Sequence, residues 1–98
     1  MAAQEQRARL RKSRLVRAEN DRIAERARRL EFVRIPMLCE CDDPGCSDVF
    51  PLSREEYLRA RGHSAHFMTR PGHRLADAHP VTKDQRYWVQ RINPDGQR

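Results

Sequence analysis

Met37-Leu38-Cys39-Glu40-Cys41-Asp42-Asp43-Pro44-Gly45-Cys46 is the stretch on which the reading of this chain turns. It gathers the chain's three cysteines into C-x-C-x4-C. On an extended segment, residues two apart project to the same face, so Cys39 and Cys41 can offer both sulfurs to one ion. Asp42-Asp43-Pro44-Gly45 reads as a turn, which returns Cys46 toward the same point. An odd cysteine count without a hydrophobic leader argues for reduced thiols rather than a disulfide framework. Zinc takes four ligands drawn from thiolate and imidazole, so one more is required.

His63, His66, His73 and His79 are the candidates for that place, with Asp42, Asp43 and Asp48 as possible oxygen ligands. His73 is favoured. Pro71-Gly72 occupies the centre of a tight turn, and such a turn presents the next residue at a fixed angle. The competing reading is three small buried hydrophobes with no ion. A further use of clustered thiols is redox sensing around a structural zinc.

Working outward, a metal would answer a shortage of core. The 98 residues are 38% apolar and 35% charged, against usual shares of roughly 45–50% and 25%. Mean hydropathy is −0.96. A unit of about 60 residues is near the lower limit for a free-standing core and commonly needs a staple. The expected fold is α+β. A basic arm and amphipathic helix fill residues 1–35, a small zinc-binding domain with a short helix and antiparallel sheet fills 36–93, and a polar tail fills 94–98.

Within the first part, Ala2 to Glu31 contains neither Gly nor Pro and is rich in good helix formers. Val16, Ile23 and Leu30 recur at intervals of seven with Ala27 between the last two, predicting an apolar stripe over about 15–31. Residues 1–14 lack such a stripe and are expected to fray. In the second part, Met37–Cys41 reads as a strand, Val49–Leu52 as extended, and Ser53-x-x-Glu56 as a capping box opening a helix that Gly62 stops. His66–Thr69 is a short strand, and residues 81–92 form a hairpin about Asp84-Gln85. In its last strand Trp88 and Ile92 are assigned inward and Tyr87 partly outward, although the reverse is open.

Leu38-Cys39-Glu40-Cys41, Cys46, Pro51-Leu52-Ser53, Glu56-Tyr57, Arg59-Ala60-Arg61, Phe67, Pro71-Gly72-His73 and Tyr87-Trp88-Val89 resemble a family of small uncharacterised bacterial proteins. The likeness covers about residues 20–91, with Ser53 and Ala60 as mild departures and Val81-Thr82 and Trp88-Val89-Gln90 as larger ones. The resemblance implies no activity, but it groups Cys39, Cys41, Cys46 and His73 in one site.

The charge points to a partner. Residues 1–35 carry eleven Arg/Lys and five Asp/Glu, while residues 36–98 carry nine of each. The whole excess of +6 therefore lies in the first third, crowded at Arg7, Arg9, Arg11, Lys12, Arg14 and Arg17. Nucleic acid, or a nucleoprotein complex, is the expected partner of those six side chains; an acidic protein surface is the alternative, and a solvated, solubilising arm the plain reading. Tyr57, Phe67, Tyr87 and Trp88 could stack on bases but read first as core. The arm is expected to be removable over 1–17 without loss of metal or fold.

An enzyme is not expected. Neither a phosphate-cradling glycine loop nor a nucleophile elbow is present. Glu40 or Asp42 beside a zinc-bound water, or a Cys46–His66 pair, are the catalytic arrangements the residues would allow. No apolar run approaches the roughly 20 residues of a membrane helix. The expected location is the cytoplasm.

Overall fold

A computed structural model describes the backbone of residues 2–93 and the side chains from Arg7 onward. The polar-tail reading of 94–98 lies outside the described residues. Helix α1 spans Ala2–Arg29, followed by strands β1 (Arg34–Leu38) and β2 (Val49–Ser53), helix α2 (Arg54–Ala60), and strands β3 (His66–Thr69), β4 (Ala78–Lys83) and β5 (Trp88–Ile92). β1 and β2 pair as an antiparallel ribbon, and β3-β5-β4 form a second antiparallel sheet. The architecture is the expected α+β.

Helix α1 is longer than the apolar stripe predicts, because it runs unbroken from Ala2. Its 28 residues correspond to about 42 Å at 1.5 Å per residue, close to the 44 Å long axis of the molecule. The stripe itself is also turned. The buried positions are Ser13, Asn20, Ala24 and Ala27, while Leu30 is 57% exposed. The face is held by small and polar residues, which let the helix approach β1 closely and hydrogen-bond to it.

The helix ends in a Schellman motif: the Glu31 amide donates to Arg28 O (3.2 Å) and the Phe32 amide to Ala27 O (2.9 Å). Glu31 takes the left-handed conformation, φ 60°, that this motif normally gives to glycine.

Period-two burial builds the core. Ile35 and Met37 on β1 face Leu52 and Phe50 on β2, and all four are buried. Pro36 and Pro51 stand opposite one another on the outer face, where neither removes a needed donor. Phe50 stacks on Tyr87 with ring centroids 6.1 Å apart, joining the ribbon to the three-stranded sheet. Tyr87 and Val89 are buried, whereas Trp88 and Ile92 are half-buried, so the inward assignment for this strand is the reverse of the one favoured from sequence. The cause is Phe50, whose ring claims Tyr87.

The capping box on α2 forms as expected, with Glu56 N–H donating to Ser53 Oγ and Ser53 N–H to Glu56 Oε1. The strand expected over Met37–Cys41 ends at Leu38. Beyond it the chain stays tied by single bonds to three different segments: Cys39 N–H to Asp48 O (2.8 Å), Glu40 N–H to Met68 O (2.8 Å) and Asp42 N–H to Arg74 O (3.1 Å).

Glu40 is fully buried, and its carboxylate binds the elements together. Oε2 accepts from Asn20 Nδ2 at 2.7 Å and from Arg61 Nη2 at 2.6 Å, and Oε1 accepts from Met68 N–H at 2.8 Å. Asn20 also pairs with the Leu38 backbone in both senses, accepting its N–H at 2.9 Å and donating to its carbonyl at 2.8 Å. Burial pulls the Arg61 pKa down, but hydrogen bonding and charge from Glu40 outweigh it and hold the guanidinium above its usual value.

Two substitutions test this account by thermal unfolding. Asn20→Ala strands both Leu38 backbone groups and takes one donor from Glu40, and is expected to cost about 2–4 kcal/mol, whereas Leu30→Ala, on the exposed side, should cost under about 0.5 kcal/mol. Glu31→Gly should stabilise by about 1 kcal/mol, since glycine adopts the left-handed region without a Cβ penalty. Equal losses at Asn20 and Leu30 would contradict the turned helix face.

Candidate metal centre

The loop from Cys39 to Asp48 joins β1 to β2, and its bonds set where each thiol points. Cys39 and Cys41 share one face of the extended segment, and Glu40 between them faces the opposite way into the core. Asp43 closes the turn by accepting from Gly45 N–H at 2.9 Å and, through its carbonyl, from Cys46 N–H at 3.0 Å. His73 arrives from a type II turn in which Pro71 precedes Gly72 at φ 78° and His73 N–H donates to Arg70 O at 3.1 Å. A Cβ at Gly72 would meet nothing within 4 Å, so the demand for glycine there comes from the backbone angle alone.

These elements converge. One ligand atom each from Cys39, Cys41, Cys46 and His73 lies within 4.8 Å of all the others. His73 Nδ1 is 3.4 Å from Cys39 Sγ and 3.6 Å from Cys46 Sγ. Tetrahedral bonds of about 2.3 Å to sulfur and 2.0–2.1 Å to nitrogen put neighbouring S and N ligands about 3.5 Å apart, so the residues fit a tetrahedral ion. The cluster can hold a metal.

The surroundings orient the ligands. The second ring nitrogen of His73 faces Asp48 Oδ2 at 3.6 Å, which leaves Nδ1 toward the sulfurs. Gln90 Nε2 holds the His73 carbonyl at 2.8 Å and Thr69 Oγ1 at 2.9 Å. Arg70 N–H donates to Cys39 Sγ at 3.2 Å, and further backbone N–H groups reach the sulfurs of Cys39, from Cys41, and of Cys41, from Asp43. Burial pushes the thiols of Cys39 and Cys41 up, and these donors offset it only in part. Metal entry must therefore displace protons, and the N–H groups then stabilise the thiolates that remain.

The other histidines and acids expected as ligand candidates have different roles. His63 and His66 stack on each other with centroids 5.0 Å apart, and His79 Nδ1 lies 3.0 Å from Asn93 Oδ1. Asp42 accepts from Ala76 N–H at 2.8 Å. Of the groups considered as catalytic from sequence, Glu40 points away from the cluster into its ion pair with Arg61, His66 Nδ1 lies 3.3 Å from Ala60 O, and Asp42 lines a cleft with Cys41 and His73.

The basic residues divide into two groups. Lys12 Nζ donates to Cys41 O at 3.1 Å and to Asp43 O at 2.8 Å, and Ser13 Oγ donates to Cys41 O at 3.1 Å. Arg17 lies over the Phe67 ring at 5.0 Å and donates to the Ser64 carbonyl; its pKa is lowered by burial and then by the like charge of Arg61. Arg7, Arg11 and Arg14 are exposed, and Arg9 lines a cleft beside Cys41, Asp43 and His73. The expectation that residues 1–17 can be removed without touching the metal site is thus overturned: Lys12 and Ser13 clasp the carbonyl of a ligand cysteine.

Ser13, Asn20 and Arg61 are not read from sequence as supports of this site, although Arg61 is among the residues that carry the family resemblance. Each is a common surface residue type, and only the docking of α1 and α2 brings it to the loop. The chain matches no family model, no curated protein and no solved structure. The resemblance to a small bacterial family rests on its quoted residues alone.

Metal competition titrations should rank the variants. Cys39→Ser, Cys46→Ser and His73→Ala lose a ligand and should weaken binding by more than 100-fold. Asp48→Ala and Ser13→Ala remove outer support and should cost about tenfold. His63→Ala and His79→Ala should match the parent, and an equal loss at all three histidines would contradict the assignment of His73.

Proposed function

We propose that this chain is a non-enzymatic, zinc-stapled module that carries a basic helix onto nucleic acid or a nucleoprotein complex. One observation supports the reading above the others. The loop that gathers Cys39, Cys41, Cys46 and His73 is also the loop that Lys12 and Ser13 grip, so an ion there fixes the arginine-bearing end of α1 in place.

Zinc is the ion that this donor set favours. Three thiolates and an imidazole in tetrahedral array suit its softness and geometry, and they suit magnesium or calcium poorly. Four protein ligands also close the coordination sphere, whereas a catalytic zinc keeps a position open for water. A structural role follows. Retention of three thiols as ligands suits a reducing compartment such as the cytoplasm. Among the described residues no helix is long and apolar enough to cross a membrane.

A second reading, a protein partner, has its own support at the far end of α1. Leu30, Phe32, Val33 and Leu58 are all more than half exposed there, and Phe32 and Leu58 line a small hollow with Tyr57 and Ile35.

Elemental analysis and unfolding test the main reading together. Protein purified without added metal should carry one zinc per chain, and a strong chelator should lower the thermal midpoint sharply, because binding energy in so small a core is folding energy. Metal-free protein with an unchanged midpoint would contradict it.

A further inference from the structure

We infer that the binding face is the outward side of the N-terminal half of α1, presented by Arg7, Arg11 and Arg14, and that its occupant is a B-form DNA duplex held through its phosphates. The inference rests on the nucleic-acid reading above and narrows it to one class of ligand.

A helix, rather than a loose arm, gives these arginines fixed places. Spacings of four and three put them on one face, spread over about 10 Å along the axis. The opposite face is engaged with the protein through Lys12, Ser13, Arg17 and Asn20. The stripe is therefore both rigid and directed outward. Residues 6–18 carry six basic side chains and no acidic one. Farther along, Glu19 pairs with Arg22, and Glu25 with Arg28 and Arg29, so the later arginines are largely balanced.

Ligand class follows from what accompanies the charge. Binding of single strands combines a basic track with aromatic faces on which bases stack. Here Phe67 and Tyr87 are buried, the Tyr57 hydroxyl donates to Asp21 Oδ1 at 2.7 Å, and Lys83 lies over the Trp88 ring at 4.8 Å. Phe32 is exposed, but it lies beyond the opposite end of α1, about 30 Å from Arg11 at 1.5 Å per residue. An RNA duplex has a deep, narrow major groove, whereas the major groove of B-DNA, about 12 Å wide, admits a helix about 10–12 Å across. A bare basic helix face without a stacking platform fits the DNA duplex.

Fluorescence anisotropy with a 20-base-pair DNA duplex, the RNA duplex of the same sequence, and single-stranded DNA tests this on the metal-loaded full chain. The DNA duplex should bind tightest, with a log–log salt slope near −2.7 for three phosphate contacts, roughly a 40-fold loss between about 50 and 200 mM salt. The triple variant Arg7→Gln, Arg11→Gln, Arg14→Gln should bind at least tenfold more weakly at the lower salt with a flattened slope, while its metal content and thermal midpoint stay at parental values. Preference for RNA or single strands would overturn the duplex inference and leave the nucleic-acid reading standing. Unchanged DNA binding by the triple variant would overturn the assigned face. Binding to none of the three ligands would overturn both.

Discussion

The buried carboxylate of Glu40 is the interaction on which this structure depends. It accepts hydrogen bonds from Asn20 on α1, Arg61 at the end of α2 and the Met68 amide of β3, so three separately formed elements meet at one side chain. A buried carboxylate is costly to desolvate and is tolerated where its lone pairs are filled and a cation faces it. Both conditions hold, and no buried polar side-chain atom among the described residues lacks a partner. Because neighbouring side chains of an extended segment alternate, anchoring Glu40 to one side turns Cys39 and Cys41, themselves buried, to the other side together. The geometry of the metal cluster is thus set from behind, by a residue that does not ligate.

Much of this was legible in the sequence. The C-x-C-x4-C spacing, the Pro71-Gly72 turn before His73 and the Ser53–Glu56 capping box are local signals whose chemistry does not wait for tertiary contacts, and all appear at the expected positions. What was not legible depended on docking. Of the stripe read at Val16, Ile23, Ala27 and Leu30, Ala27 is buried and Ile23 packs against the core, but Leu30 is exposed and the buried face is turned toward Ser13, Asn20 and Ala24. Apolar periodicity reads faces by hydrophobicity, whereas here a face of small and polar residues docks, with Asn20 satisfying both Leu38 backbone groups and Glu40 at once. The reversal of Tyr87 and Trp88 has the same origin, since the two successive aromatic rings fall on opposite faces and the Phe50 stack that draws Tyr87 inward is a tertiary contact.

The clasp of Lys12 and Ser13 on the loop carries a thermodynamic consequence. If an ion stabilises the loop that α1 grips, then docking of α1 must stabilise the ion by the same free energy. Staple and basic helix are therefore one cooperative unit, although the sequence divides them cleanly by charge. The division reflects what each part displays to solvent, whereas the hydrogen bonds record what holds them in register.

The central claim is a closed centre of three sulfurs and one nitrogen, and zinc K-edge X-ray absorption on the protein as purified reads that shell directly. The account predicts three sulfur scatterers at about 2.3 Å and one nitrogen at about 2.0–2.1 Å. A shell of nitrogen and oxygen alone, or of four sulfurs from cysteines of more than one chain, would contradict it.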